Sequence, residues 1–185
     1  MTYQQLTATW PTFSQNILQF MRELSLDKLM LACDHAALRV NSTHAAQQLQ
    51  HEFAKHGTII SNNMINGRPI LIIELTCPMQ LGHMVIDCVE LPFPGDKIYS
   101  EEGWEHIELV LNSTAQTCET LRQELLTLLP NLQAIFAGDT EIDVKMSSPK
   151  GDKERLANPT IAFKKAGLCI KVHPHSIKAI IASER

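Results

Sequence analysis

Apolar and polar residues follow two different periods along this chain, and the periods mark helices and strands. Between Pro11 and Leu29, apolar residues recur at steps of three and four, which is the pattern of an amphipathic helix. That helix is expected either to pack against the main body or to support a dimer. From residue 31 onwards, short apolar runs bounded by Gly, Pro and Asn predict strands. The pattern therefore predicts an α+β fold with an extra N-terminal helix.

The first half of this α+β region predicts one β-α-β-β-β unit. Its predicted elements are a strand at 31–40, a helix at 44–56, and strands at 58–64, 70–75 and 83–90. Asn41, Ser42 and Thr43 are good N-cap residues for the helix, and Gly57 is expected to close it. The proline-containing segment 91–96 ends the last strand, because proline cannot continue a ladder.

The second half repeats this order. Glu105-His106-Ile107-Glu108-Leu109-Val110 aligns without a gap on Asp34-His35-Ala36-Ala37-Leu38-Arg39, at an offset of 71 residues (106 − 35). Asn112-Ser113-Thr114 matches Asn41-Ser42-Thr43 at the same offset and predicts the start of a helix that ends near Leu129. The further predicted elements are strands at 142–146, 160–163 and 168–173, a polar loop at 147–158, and a short helix at 176–183.

A repeat on this scale predicts the architecture. We predict an N-terminal helical segment at 1–30, a first βαβββ module at 31–95 and a second at 96–185, within one compact domain. The modules are expected to form paired, curved mixed sheets around a central cleft.

Composition narrows the class of protein. The chain has 185 residues with 44% hydrophobic and 19% charged residues, as in a compact enzyme or binding domain. A net charge of -4 gives no broad footprint for nucleic acid. The five cysteines are scattered, which favours a reducing compartment over a disulfide framework. Without a signal-peptide profile or a membrane-spanning run, we predict a cytoplasmic monomer or homodimer that binds a small molecule.

The strand phase predicts a metal site. His35 and His106 are equivalent in the repeat and should both face the cleft, while Glu90 and His173 end the last strands of the two halves. Three imidazoles and a carboxylate suit a divalent ion such as Zn, Ni, Co, Fe or Mn. The alternative is that these histidines are solvated or satisfied strand residues.

Further polar residues are candidates for chemistry. Glu108, on the same strand face as His106, and Glu74, on a middle strand, are candidate general acids or bases; either could instead be solvated or be a ligand. Arg39 is a candidate for gripping a substrate carboxylate, although an internal salt bridge explains it equally well. Arg68 is a candidate binding residue in a polar loop, where plain surface charge is the commoner explanation.

Longer motifs resemble the bacterial YecM family. They are Asn62–Pro69, Val89–Gly95, Glu102–Glu108, Ser147–Gly151, Glu154–Leu156 and Asn158–Thr160, and the resemblance extends from about Asp34 to Glu184. That family resembles the vicinal-oxygen-chelate superfamily, which includes glyoxalases, extradiol dioxygenases, epimerases and antibiotic-resistance proteins. The resemblance implies paired βαβββ modules around a metal, with ligands at His35, Glu90, His106 and His173. The superfamily often has a carboxylate where this chain has His173.

These observations lead to three hypotheses. The first is a metal-dependent isomerase, lyase or oxygenase that acts on a small oxygen-rich molecule chelated through adjacent oxygens. The second is a protein of the same fold that binds or sequesters a small molecule without turning it over. The third is an interaction protein in which the histidines are incidental. Fold alone does not fix function. The enzyme hypothesis differs from the binding-protein hypothesis in that it needs an open metal position beside Glu108 or Glu74.

Overall fold

The computed structural model describes residues 1–148 and 155–184. Its helices are α1 (Tyr3–Glu23), α2 (Thr43–Phe53), α3 (Cys118–Leu128), α4 (Leu132–Ala137) and α5 (Ile177–Ser183). Its strands are β1 (Ala32–Arg39), β2 (Gly57–Ile65), β3 (Arg68–Leu81), β4 (Met84–Pro92), β5 (Gly103–Val110), β6 (Asp143–Ser147), β7 (Thr160–Lys165) and β8 (Leu168–His173). Residues 149–154, which belong to the predicted polar loop and to two of the family-like motifs, lie outside the described residues.

The strands form one mixed sheet, and the strand order of its second half mirrors that of its first half, as expected for two copies of one unit. The order is β2-β3-β4-β1-β5-β8-β7-β6, so each half contributes four neighbouring strands. In each half the first strand runs parallel to the last, and the two middle strands are antiparallel. The halves join where β1 pairs antiparallel with β5. The predicted α+β class with two βαβββ modules is therefore confirmed, and the four strands of each module join edge to edge in a single eight-stranded sheet.

Helices α1, α2 and α3 pack on one face of this sheet. Helix α1 crosses β5 and β8, α2 covers β4, and α3 covers β7. Their buried residues include Ile17, Phe20, Met21, Leu49, Phe53, Leu121 and Leu125, whereas Leu128, which the helical period also predicts to be buried, is 50% exposed. Trp104 of β5 fixes α1 in place, because its indole N–H donates to the Leu6 carbonyl over 2.9 Å and its ring packs edge-on against Trp10. The N-terminal helix thus packs against the main body.

Helix α5 lies on the opposite face of the sheet. Ile177 and Ile181 pack against Ile70, Ile72 and Cys88, which form a small second apolar cluster on the first half of the sheet. The rest of this face carries polar residues and holds the site described below. Within residues 1–148 and 155–184, none of the helices combines the length and apolar character needed to cross a bilayer.

Helix α1 begins at Tyr3, eight residues before the predicted start at Pro11. Thr2 and Gln5 form a capping box, in which each side chain accepts a hydrogen bond from the other residue's backbone N–H. Pro11 looked like a helix start, since proline is favoured in the first turn. In the structure it lies inside the helix.

The helix of the second half also differs from the prediction. Helix α3 begins at Cys118 with Thr117 as its N-cap, rather than after Asn112–Thr114. The Ser113 hydroxyl accepts a hydrogen bond from the Ala115 backbone N–H, so this serine closes a local turn. Helix α4 was not predicted; it follows Pro130, buries Leu132 and Ile135, and ends at Gly138 with φ 80°.

Candidate metal centre

The central strand pair brings the two predicted histidines together. In the β1–β5 register, His35 lies opposite Glu108, and His106 lies opposite Ala37. Because side chains alternate across a strand, His35, His106 and Glu108 share one face of the sheet. All three are buried, with at most 8% of each residue exposed.

Two β-bulges place an acid beside each imidazole. The register skips Asp34 on β1 and Glu105 on β5, and these two residues are equivalent in the repeat. Adjacent strand residues normally point to opposite faces, whereas a bulge re-aims one of them. As a result, an Asp34 carboxylate oxygen lies 3.1 Å from His35 Nδ1, and a Glu105 carboxylate oxygen lies 3.3 Å from His106 Nδ1. Each acid faces Nδ1, so Nε2 is the nitrogen of each ring that is directed away from the acid and toward the other ligands.

The Nε2 atoms of both rings face Glu108, and that of His106 is within hydrogen-bond distance of it. Glu108 Oε1 lies 3.2 Å from His106 Nε2 and 3.6 Å from His35 Nε2, and the three ligand atoms all lie within 4.8 Å of one another. An ion held tetrahedrally at about 2.1 Å separates its ligand atoms by about 3.4 Å, so the spacing fits. His35 Nε2 is buried without a hydrogen-bond partner among the described residues. Such a partnerless lone pair fits a cation that bonds to it.

The donor set and its supporting acids resemble known metal chemistry. Two imidazoles and one carboxylate form the ligand set of zinc hydrolases and of non-haem iron(II) oxygenases. Metal-bound histidines almost always donate their other ring N–H to a carboxylate, carbonyl or water. Asp34 and Glu105 supply that partner for both imidazoles. The residues therefore fit a divalent ion of the borderline class.

Lys171 of β8 lies beside this group. Its Nζ is 2.7 Å from Glu108 Oε1, and the two residues are neighbours in the β5–β8 register. Burial opposes the charged form of Glu108, but the charges of Lys171 and His35 hold its pKa well below the usual value. Burial likewise opposes the charge on Lys171, and Glu108 outweighs it, so the pKa of Lys171 is raised. Glu108 is thus an ionised carboxylate and a poor proton acceptor.

A cavity of about 360 Å³ opens over the three side chains. Glu90 of β4 lines it, with Oε2 3.7 Å from His35 Nε2. Burial opposes ionisation of Glu90, yet the neighbouring His35 imidazole and the charge of Lys171 lower its pKa to about 2. Burial also disfavours the charge on His35, but Glu108, Asp34 and Glu90 together raise its pKa well above the ordinary value. The metal-free site therefore holds a proton where a cation fits.

A profile of the family described as "YecM protein" matches residues 2–184 of the chain. The chain belongs to the YecM family. Protein YecM of Escherichia coli (strain K12) is 42% identical over 182 residues, which are 98% of this chain and 94% of that protein. A protein of Haemophilus influenzae (strain ATCC 51907 / DSM 11121 / KW20 / Rd), described as uncharacterized, is 37% identical over 94% of this chain and 90% of its own length. The solved structure "Structural Genomics, Protein EC4020" superposes with a TM-score of 0.83 at 38% identity, over 98% of this chain and 92% of that one.

His173 lies in the cavity wall of this YecM-family protein, outside the group of three. Its Nδ1 is 3.5 Å from Glu108 Oε2 and 2.8 Å from the side-chain nitrogen of Asn158, while its Nε2 is 3.5 Å from the Asp34 carboxylate. Burial is the main cause of a lowered pKa for His173. His173 is therefore held by Asn158 beside Glu108 and Asp34, and its Nε2 has no hydrogen-bond partner among the described residues.

The remaining predicted site residues lie farther out. The side chain of Glu74 is 45% exposed and pairs with Lys178 of α5 over 2.6 Å, so the structure does not bring it to the three candidate ligands. Arg39 lines a neighbouring pocket, where its guanidinium lies 5.7 Å from the centre of the Tyr99 ring. Arg68 lines the main cavity and donates to the Phe93 carbonyl over 3.2 Å.

Three residues of the site were not predicted as part of it: Asp34, Glu105 and Lys171. The first two belong to the acid-His pair that repeats in both halves, so the repeat itself contained the signal. The sequence contained no such signal for Lys171. When the last strands of the two halves are aligned by their similar ends, Glu90 is matched with His173 and therefore not with Lys171. The register instead sets Glu90 opposite Ala37 and Lys171 opposite Glu108, which makes Glu90 and Lys171 the equivalent pair.

Proposed function

We propose that this YecM-family protein binds one divalent metal ion through His35, His106 and Glu108 and catalyses a metal-dependent reaction on a small oxygen-rich molecule. The observation that supports this most directly is the convergence of the three ligand atoms within 4.8 Å, at the floor of the cavity. An isomerase, lyase or oxygenase fits such a centre, since three protein ligands leave positions for substrate oxygens.

The protein's own groups have distinct roles in this proposal. When bound, the ion would polarise two adjacent substrate oxygens and stabilise negative charge on them. Lys171 borders the cavity and keeps a positive charge beside Glu108, so it would stabilise the same charge. Glu90 stays ionised because its pKa is lowered to about 2, and it would complete the ligand set or accept a hydrogen bond from a substrate hydroxyl. Glu108 is proposed as a ligand rather than as the general base.

The architecture supports the resemblance to the vicinal-oxygen-chelate superfamily. Two βαβββ modules meet through their first strands, and each first strand contributes one imidazole to the same point. On this basis we propose that the protein shares the superfamily's mode of substrate binding, through oxygens on adjacent atoms.

Metal analysis tests the proposal directly. Protein purified without an affinity tag, after incubation with Zn, Fe(II), Mn, Co or Ni and removal of free ion, should hold about one ion per chain. His35→Ala and His106→Ala should lose it, because each removes one of three ligands. His44→Ala is the matched control, since His44 is exposed on α2. Equal metal content in all four proteins, with far-UV circular dichroism showing that each is folded, would overturn the proposed centre.

A second measurement separates an enzyme from a sequestering protein. Oxygen-rich test compounds, namely 2-hydroxy acids, 2-oxo acids and catechols, are incubated with the metal-loaded protein and followed by NMR. Conversion that disappears in His106→Ala supports catalysis. Tight binding without conversion of any bound compound supports sequestration.

A further inference from the structure

The second half of the sheet presents lysines beside the candidate metal centre. Lys145, Ala162 and Lys171 are neighbours on β6, β7 and β8, because Lys145 pairs with Ala162 and Ala162 pairs with Lys171. Lys164 lies two residues beyond Ala162 on the same face. All four residues line the cavity. The small Ala162 side chain therefore leaves space in the cavity, and three lysine side chains surround that space.

In the first half, the position equivalent to Ala162 is covered by a helix. Ile72 pairs with Glu90 as Ala162 pairs with Lys171, and Glu90 is equivalent to Lys171, so Ile72 and Ala162 occupy equivalent places. Ile72 is buried under α5 in the second apolar cluster. The small alanine of the second half lines open cavity instead.

Charge is inverted between the two halves at the next position. Glu74 lies two residues beyond Ile72, as Lys164 lies two beyond Ala162, so these residues are equivalent. The occupant of the first half, α5, brings the cation Lys178 to Glu74, with Nζ and carboxylate oxygen 2.6 Å apart. By the same complementarity, an occupant of the second half should bring an anion to Lys164.

The cavity as a whole has the charge that such an occupant needs. Its lining holds three glutamates and five basic residues, although the protein has a net charge of -4. The basic residues are Arg68, Lys97, Lys145, Lys164 and Lys171. Only Lys171 has a carboxylate oxygen within 4.0 Å among the described residues. Asp143 is the register neighbour of Lys164, but it forms no ion pair with it within that distance.

We propose that the ligand of the metal centre is an anion, whose carboxylate or phosphate group rests on Lys145 and Lys164 above Ala162. Lys164, Cys169 and His106 are consecutive in the register, so two strand spacings, about 10 Å, separate the lysine backbone from the ligand strand. A small molecule can span that distance with its anionic end on the lysines and its adjacent oxygens at the ion. This inference rests on the proposed function.

Two matched pairs of probes test the anion site by isothermal titration calorimetry of the metal-loaded protein. All four probes keep a carboxylate and an adjacent oxygen for the ion: 2-oxoglutarate carries a distal carboxylate that 2-oxopentanoate lacks, and 3-phosphoglycerate carries a distal phosphate that glycerate lacks. We expect the member with the distal anion to bind about tenfold more tightly in at least one pair, since two exposed lysines contribute charge-assisted contacts partly screened by water. In the double variant K145Q/K164Q the ratio should fall below about threefold. The control K28Q/K55Q removes the same charge at exposed sites elsewhere and should keep the ratio.

The outcomes distinguish the two proposals. If wild-type protein holds metal but both probe pairs show ratios near one, the anion site is refuted and the metal centre stands. If metal binding fails, inorganic phosphate is titrated into the metal-free protein and followed by ³¹P NMR. Binding that K145Q/K164Q abolishes and K28Q/K55Q retains would support the lysine site by itself. Phosphate binding that is the same in all three proteins, or absent from all three, would refute it.

Discussion

The repeated acid-His pair predicts unequal effects of two matched substitutions. Asp34→Asn and Glu105→Gln each remove one negative charge and keep the shape of the side chain. The Asp34 side chain is 6% exposed and its oxygen lies 3.1 Å from His35 Nδ1; the Glu105 side chain is 25% exposed and its oxygen lies 3.3 Å from His106 Nδ1. Asp34 also accepts the Ile177 backbone N–H over 2.7 Å, which fixes its position. The Asp34 contact is therefore shorter, drier and better held.

The magnitudes follow from this difference. Losing the outer partner of a metal-bound histidine typically lowers metal affinity by about 10- to 100-fold. We place Asp34→Asn near the upper end, about 2.7 kcal/mol, because a buried contact is little screened by water. Glu105→Gln belongs near the lower end, about 1.4 kcal/mol, because solvent screens the more exposed carboxylate.

Competition with a chromophoric chelator measures these affinities for Zn and Co(II). The visible spectrum of bound Co(II) additionally reports whether the ligand geometry changes. Glu119→Gln, on the exposed surface of α3, is the control and should bind metal like the wild type. The reasoning is refuted if Glu105→Gln weakens binding as much as Asp34→Asn, or if neither substitution changes affinity by more than about threefold.

Three further predictions concern pH, stability and backbone packing. Because the pKa of His35 is raised, the metal-free protein carries a proton that the metal must displace. Metal affinity should therefore rise from pH 6 to pH 8. Calorimetry in buffers of different ionisation enthalpy should detect the released proton. Metal at about 100 times its dissociation constant should stabilise the fold by about 2.7 kcal/mol and raise Tm by roughly 5–10 °C in scanning calorimetry, an effect absent in His106→Ala. Gly57→Ala would place a β-carbon 2.3 Å from the Glu74 carbonyl oxygen and should lower the free energy of unfolding in urea by about 1–3 kcal/mol, whereas Gly95→Ala meets only ordinary contacts and should be nearly neutral.

The sequence predicted the parts of the fold that depend on local pattern. The strand bounds at 168–173 and the turn before Arg68 agree with the structure, since alternation and the Asn66-Gly67 pair are read within a few residues. The place of His35 and His106 on one face followed from the gapless repeat. Both predictions needed only the period of the strand and the order of elements.

What the sequence did not predict depends on how strands align with one another. A bulge is set by the register between β1 and β5, so nothing local indicated that Asp34 would reach the ring of the residue beside it. The same limit applies to Lys171, whose partner on β5 follows from the parallel β5–β8 register. Glu74 shared the phase of a cleft residue, but its distance from the centre depends on strand order and on the α5 lysine that pairs with it.

The site also departs from the symmetry that builds it. The repeat places Ala37 where the second half has Glu108, so the two first strands supply two imidazoles and one carboxylate instead of two of each. A second carboxylate there would sit opposite His106 and beside Glu90, adding negative charge to a buried group already rich in acids. With Ala37, the ion would keep three first-strand ligands, and a three-ligand centre leaves positions for substrate. Neither half contains all three, so the centre forms only once β1, with His35, and β5, with His106 and Glu108, have paired across the middle of the sheet.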